Sequence, residues 1–157
     1  MNSNKPKPGD LIEIFRGTYK HWALYVGDGY VIHLTSDSGR AKAGSCSVGS
    51  VGQDKATVKR EKLEDVVGNN KYRINNLLDN QYKSRPIQDI LKDAQSHLGE
   101  MIRYNPFTLN CEHFVTELRY GEPESLQAET AAVGVIIGLI GAVAVFVISA
   151  IRGIFKI

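Results

Sequence analysis

The sequence predicts an α+β domain with an antiparallel sheet, followed by a C-terminal transmembrane helix. Three observations predict it. The runs "HWALYV" and "YVIHL" are rich in β-branched and aromatic residues and flank "GDG", a hairpin signal. Two later segments, Pro86 to Gly99 and Asn110 to Gly121, carry apolar residues at helical spacing between start and stop signals. From Ala131 to Ile151, "AAVGVIIGLIGAVAVFVISAI", no residue is charged. A run of about 20 apolar residues matches the thickness of a bilayer core.

In chain order, "PKPGDLIEIF" is punctuated by Pro8 and Gly9 and then runs apolar, a first strand. The hairpin follows. Residues 36–53 are rich in Gly and Ser, and a loop of that length inside a domain is usually functional or mobile. "ATVKRE" and "KYRINN" read as strands, with "KLEDVVG" a short helix or turn between them. In "PIQDILKDAQSHLG", Pro86 suits the first helical turn, Ile87, Ile90, Leu91, Ala94 and Leu98 line one face, and Gly99 ends the helix. "NCEHFVTELRYG" is the second helix, capped by Asn110 and ended by Gly121. These elements place a domain at 1–122, a polar linker at 123–130, the membrane anchor at 131–151 and a short tail at 152–157.

Charge excludes one class of partner. The 17 acids all precede residue 131, and of the 19 bases only Arg152 and Lys156 follow it. Residues 1–130 therefore carry no net charge and no concentrated basic face, so nucleic acid is not expected. A neutral domain approaches a lipid surface without strong repulsion. Two cysteines, Cys46 and Cys111, make neither a disulfide framework nor a zinc spacing. The polar start "MNSNKPKPGD" lacks the apolar stretch of a secretory signal. Post-translational insertion of the anchor into intracellular membranes, with the domain facing the cytosol, is the expectation. Arg152 and Lys156 lie beyond the span, against a simple positive-inside rule, which leaves an in-plane or re-entrant arrangement open. Gly134 and Gly138 have the spacing of a tail-association motif, weak evidence in a Gly/Ala-rich span.

Cys111, Phe114, Val115 and Leu118 fall on one helical face, so Cys111 occupies the first turn and points toward the core. The macrodipole and unpaired amides of a helix N-terminus stabilise a thiolate, and the same amides can hold an oxyanion. Position alone favours an inert, buried cysteine; only a partner base reverses that. Cys46, in a loop without periodicity, stays inert. Of four histidines, His97 suits a last helical turn, and His113 is two residues from Cys111 and does not face it. His21 and His33 lie on the two arms of the hairpin. A two-residue Asp28-Gly29 loop pairs Leu24 with His33 and puts them on opposite faces. A three-residue Gly27-Asp28-Gly29 loop pairs Ala23 with His33 and puts them on one face, and Gly29 suits its left-handed last position. One imidazole then acts as base and the other orients it. Two independent strand histidines remain the alternative.

Together, "PKPGDLIEIFR", "HWALYVGDGYVIHL", "KYRINN" and "NCEHFVTELRYG" resemble the lecithin:retinol acyltransferase-like family, and within it the phospholipase A and acyltransferase group, also called Ras-suppressor-like proteins. The likeness covers most of residues 5–121, and the apolar C-terminus is similar to that of the longer members. It implies a circularly permuted papain-like domain of the cell-wall peptidase superfamily. It implies Cys111 as nucleophile, His21 as base and His33 as third member, with no cofactor and no metal. The implied activity is that of a membrane-anchored phospholipase A1/A2 and acyltransferase. An acyl chain passes from a glycerophospholipid through a cysteine thioester to water, a lysophospholipid or the amine of phosphatidylethanolamine. A cysteine peptidase or amidase on the same fold, or a non-catalytic membrane-tethered binding module, is the alternative.

Overall fold

A computed structural model describes residues 5–36, 55–103 and 110–121. Cys46 and most of the Gly/Ser loop, the linker 123–130, the apolar span 131–151 and the tail 152–157 lie outside the described residues. Among the described residues no helix is long and apolar enough to cross a membrane.

Strands β1 (Leu11–Phe15), β2 (Lys20–Gly27), β3 (Tyr30–Ser36) and β4 (Lys55–Lys62) precede the short helix α1 (Leu63–Val67) and strand β5 (Lys71–Ile74). Helix α2 (Ile87–Ser96), strand β6 (Met101–Arg103) and helix α3 (Cys111–Tyr120) complete the described order. The strands form one six-stranded antiparallel sheet in the order β5-β1-β2-β3-β4-β6. Period-two alternation sends residues to two separate cores. Trp22, Leu24, Ile32, Leu34 and Val58 pack with Ile90 and Ala94 of α2 and Phe114, Val115 and Leu118 of α3. Ile12, Ile14, Ala23 and Val31 pack on the opposite face with Leu63, Val66 and Val67 of α1. Each fully buried Leu or Ile contributes about 1.5–3 kcal/mol.

The hairpin resolves the register question in an unexpected way. Its loop has two residues: Asp28 and Gly29 both have positive φ, 52° and 79°, and Gly27 pairs with Tyr30. Such a loop alone would place the histidines on opposite faces. A bulge between Tyr25 and Gly27 shifts the register by one, so that Tyr25 pairs with Val31 and Leu24 with Ile32. Continued past the ladder, this register sets Ala23 opposite His33, and His21 shares its face.

Helix α2 differs from the sequence expectation at its end. Pro86 precedes it as the cap residue, but the helix stops at Ser96 and Gly99 does not close it. Gly99, at φ 83°, instead turns the chain so that its amide donates to the Val58 carbonyl at 2.9 Å. That bond leads into β6, a strand the sequence pattern does not announce. Ile90 and Ala94 are buried, whereas Ile87 at the helix start and Leu98 beyond its end are exposed. The C-terminus of α3 is held by long-range bonds. Both guanidinium ends of Arg119 engage: Nε and Nη2 donate to Asp79 at 3.0 and 2.9 Å, and Nη1 donates to the Gly9 carbonyl at 2.6 Å. The Tyr120 hydroxyl donates to the same carboxylate at 2.9 Å and accepts the Leu78 amide at 3.2 Å.

Candidate active site

Helix α3 begins where the sequence expects. The Asn110 side chain accepts the amides of Glu112 and His113 at 2.9 and 3.1 Å. The Asn110 amide in turn donates to His113 Nδ1 at 3.4 Å, so His113 closes a reciprocal capping box. Its imidazole is thereby a local cap. Gly121 ends the helix in the left-handed region, at φ 82°. Cys111 opens the first turn and is buried. Its sulfur lies 4.0 Å from the carbonyl oxygen of Lys20, the residue preceding His21 at the start of β2.

The two hairpin histidines meet. His21 Nε2 and His33 Nδ1 are 2.8 Å apart, with the rings edge to face. Both are buried. Burial, the neighbouring His33 and the Arg16 guanidinium hold His21 well below the usual histidine range. It is therefore neutral at neutral pH, the form able to accept a proton. His97 stands apart, hydrogen-bonded through Nδ1 to the Glu100 carboxylate at 2.7 Å and edge-on to Phe114. Among the described residues, no group of three His, Cys, Asp or Glu is placed to hold a metal ion.

Three groups around this site were not singled out by sequence reasoning. Glu61 on β4 lies 2.6 Å from His33 Nε2. Period-two alternation puts Glu61 on the face opposite Ala56 and Val58, but its neighbour across β3 depends on a pairing that spans a long loop. Arg16, before β2, donates to the Val66 carbonyl. Glu13 on β1 is fully buried, 2.6 Å from Lys20 Nζ, and accepts from Arg73 Nε and from Asn75 at 2.9 Å. Burial pushes its carboxyl up, and the bonds from Arg73, Lys20 and Asn75 outweigh this and leave it below the usual carboxylate range. This cluster ties Lys20, whose carbonyl faces the Cys111 sulfur, to the middle of the sheet.

A buried cysteine thus opens a capped helix beside the start of the strand that carries one of two contacting histidines. The chain belongs to the lecithin retinol acyltransferase family, whose model matches residues 4–124. It is 56% identical over 131 residues to human phospholipase A and acyltransferase 4, covering 83% of this chain and 80% of that protein. It is 47% identical over 144 residues to human phospholipase A and acyltransferase 3, covering 92% and 89%. Human phospholipase A and acyltransferase 1 is 50% identical over 139 residues, covering 83% and 82%.

Proposed function

We propose that the chain is a phospholipase A and acyltransferase that works through a Cys111 thioester, on a circularly permuted papain-like domain tethered by residues 131–151 to an intracellular membrane. The contact between His21 and His33, beside the strand start that faces the Cys111 sulfur, carries this reading. The names of relatives that align with most of the chain support the substrate class.

In the proposed reaction His21 takes the thiol proton of Cys111. The sulfur attacks the ester carbonyl of a glycerophospholipid, and the Cys111 amide at the helix N-terminus holds the resulting oxyanion. Collapse breaks the acyl carbon–oxygen bond. The leaving lysophospholipid oxygen takes the proton from His21, and an acyl thioester remains. Water, a lysophospholipid hydroxyl or the amine of phosphatidylethanolamine then attacks, with its proton passing to His21 and on to the departing thiolate. One intermediate thus gives hydrolysis, O-acyl transfer and N-acyl transfer. The tether holds the site at the bilayer and raises effective substrate concentration.

The test is substitution at both cysteines. Cys111→Ala and Cys111→Ser abolish both fatty-acid release and acyl transfer, and Cys46→Ser leaves both near wild type. Equal loss from Cys46→Ser and Cys111→Ser sinks the assignment.

A further inference from the structure

We propose that Glu61 is a positioning residue of this site, a carboxylate that sets the proton arrangement of both histidines. The inference rests on the Cys111–His21–His33 reading above. The diagonal order His21, His33, Glu61 crosses three neighbouring strands, β2, β3 and β4, on one face of the sheet. The joining distances are 2.8 Å from His21 Nε2 to His33 Nδ1 and 2.6 Å from His33 Nε2 to the Glu61 carboxylate.

The chemistry of the last group fixes the rest. An ionised carboxylate only accepts hydrogen bonds. Hydrogen bonding to His33 is the main force holding the Glu61 carboxyl below the usual range, ahead of the opposing effect of burial and the attraction of His33 and Lys59. It is therefore ionised at neutral pH, and His33 Nε2 must carry a hydrogen. In its neutral form, His33 with that hydrogen on Nε2 presents a lone pair at Nδ1, which accepts the Nε2–H of His21. Neutral His21 is left with its lone pair on Nδ1, the nitrogen that can take the thiol proton. The reversed arrangement, with His33 Nδ1–H donating to His21 Nε2, puts the His21 proton on Nδ1 and blocks that step. Without Glu61 both arrangements are available, and only one is productive. Glu61 also supplies the negative charge that offsets the cation formed when His21 is protonated. Burial, the neighbouring His33 and Arg16 all disfavour that cation.

Among the described residues, the other charged and titratable groups about this row are Arg16 from the turn before β2, Lys20 with Glu13, and Lys59 opposite His33, with Glu112 and His113 next to Cys111 in the first turn of α3. All are present in wild type and in every Glu61 variant, so a difference between them reports Glu61.

The experiment uses the full chain with Cys46→Ser, so that alkylation by iodoacetamide reports Cys111. Wild-type Glu61, E61Q, E61D and E61A are compared by phospholipid turnover and by the pH dependence of alkylation. Melting temperature checks the fold. E61A should lower kcat roughly 10- to 100-fold with little change in KM, the size of effect known for carboxylates that orient metal-ligating histidines. E61Q, which keeps an acceptor and loses the charge, should fall between E61A and wild type, and E61D should recover part of the loss. The midpoint of Cys111 alkylation should rise by about half to one pH unit in E61Q and E61A, because the imidazolium that supports the thiolate is less stable. A wild-type midpoint in both variants overturns the proposal, whether or not turnover falls, since loss of turnover alone marks a structural role. If Cys111→Ala retains turnover, the underlying thiol reading fails first, and that outcome is separate from any result on Glu61.

Discussion

Replacing Glu13 with Gln tests the cluster that anchors the start of β2. Glu13 is 0% exposed, whereas Lys20 and Arg73 keep 43% and 57% of their side-chain surface in solvent. The substitution keeps the volume and one carbonyl acceptor but turns an amide toward one of the two cations. A buried charge pair broken from one side typically costs about 3–5 kcal/mol because the remaining ion is stranded. Here both remaining cations can rehydrate, so the cost is nearer that of one or two charge-assisted hydrogen bonds, about 2 kcal/mol. For a domain of this size that corresponds to a fall in Tm of roughly 8 °C. The pH dependence is equally specific. The folded-state carboxyl is depressed, so its contribution is complete above the unfolded carboxylate value and is lost as pH falls through the folded value. The gap between wild type and Glu13→Gln should be full at pH 7 and close in the acid range, where protonated Glu13 resembles Gln. Thermal unfolding by circular dichroism at both pH values measures it. A Tm within about 1 °C of wild type at pH 7, or a gap that does not depend on pH, rules out this role for the Glu13 carboxylate.

Asn110→Ala removes the cap of α3 and should cost about 1 kcal/mol, read as a Tm fall of roughly 4 °C, together with slower acylation because the turn bearing Cys111 loosens; an unchanged acylation rate would detach the cap from the site. His21→Ala should lower kcat by about 10²–10⁴-fold, His33→Ala by less, and His97→Ala hardly at all. Steady-state phospholipid hydrolysis orders the three, and an active His21→Ala chain contradicts the mechanism. A chain ending at Glu129 should keep thiol-dependent activity on detergent-dispersed phospholipid while leaving cellular membranes. Loss of activity in that folded shorter chain would place residues 131–151 within the active site.

Local signals in the sequence carried far. The hairpin, the Asn110 cap, the Gly121 stop and the strand "KYRINN" depend on neighbours in the chain, and their positions agree with the pattern. The shared face of His21 and His33 was also legible, though for another reason. The pattern favoured a longer loop, whereas a two-residue loop with a bulge produces the same alignment. A bulge has no residue signature beyond a glycine such as Gly27, so periodicity could not place it. What the sequence hid is the result of distant pairing. Asp79 meets Arg119, Glu13 meets Arg73, and Glu61 meets His33 only after the chain has crossed the sheet. Strand β6 is three residues long and owes its place to pairing with β4, so no periodicity marks it.

Mass spectrometry of the intact full chain mixed with a diacyl phospholipid detects a Cys111 thioester directly. A Cys111 thioester predicts one added acyl group, mapped by digestion to the peptide containing Cys111, released by hydroxylamine at neutral pH and absent from Cys111→Ala. It also predicts that the adduct disappears faster when a lysophospholipid is supplied. Turnover of the phospholipid by Cys111→Ala, or an adduct confined to Cys46, rules out Cys111 as the nucleophile.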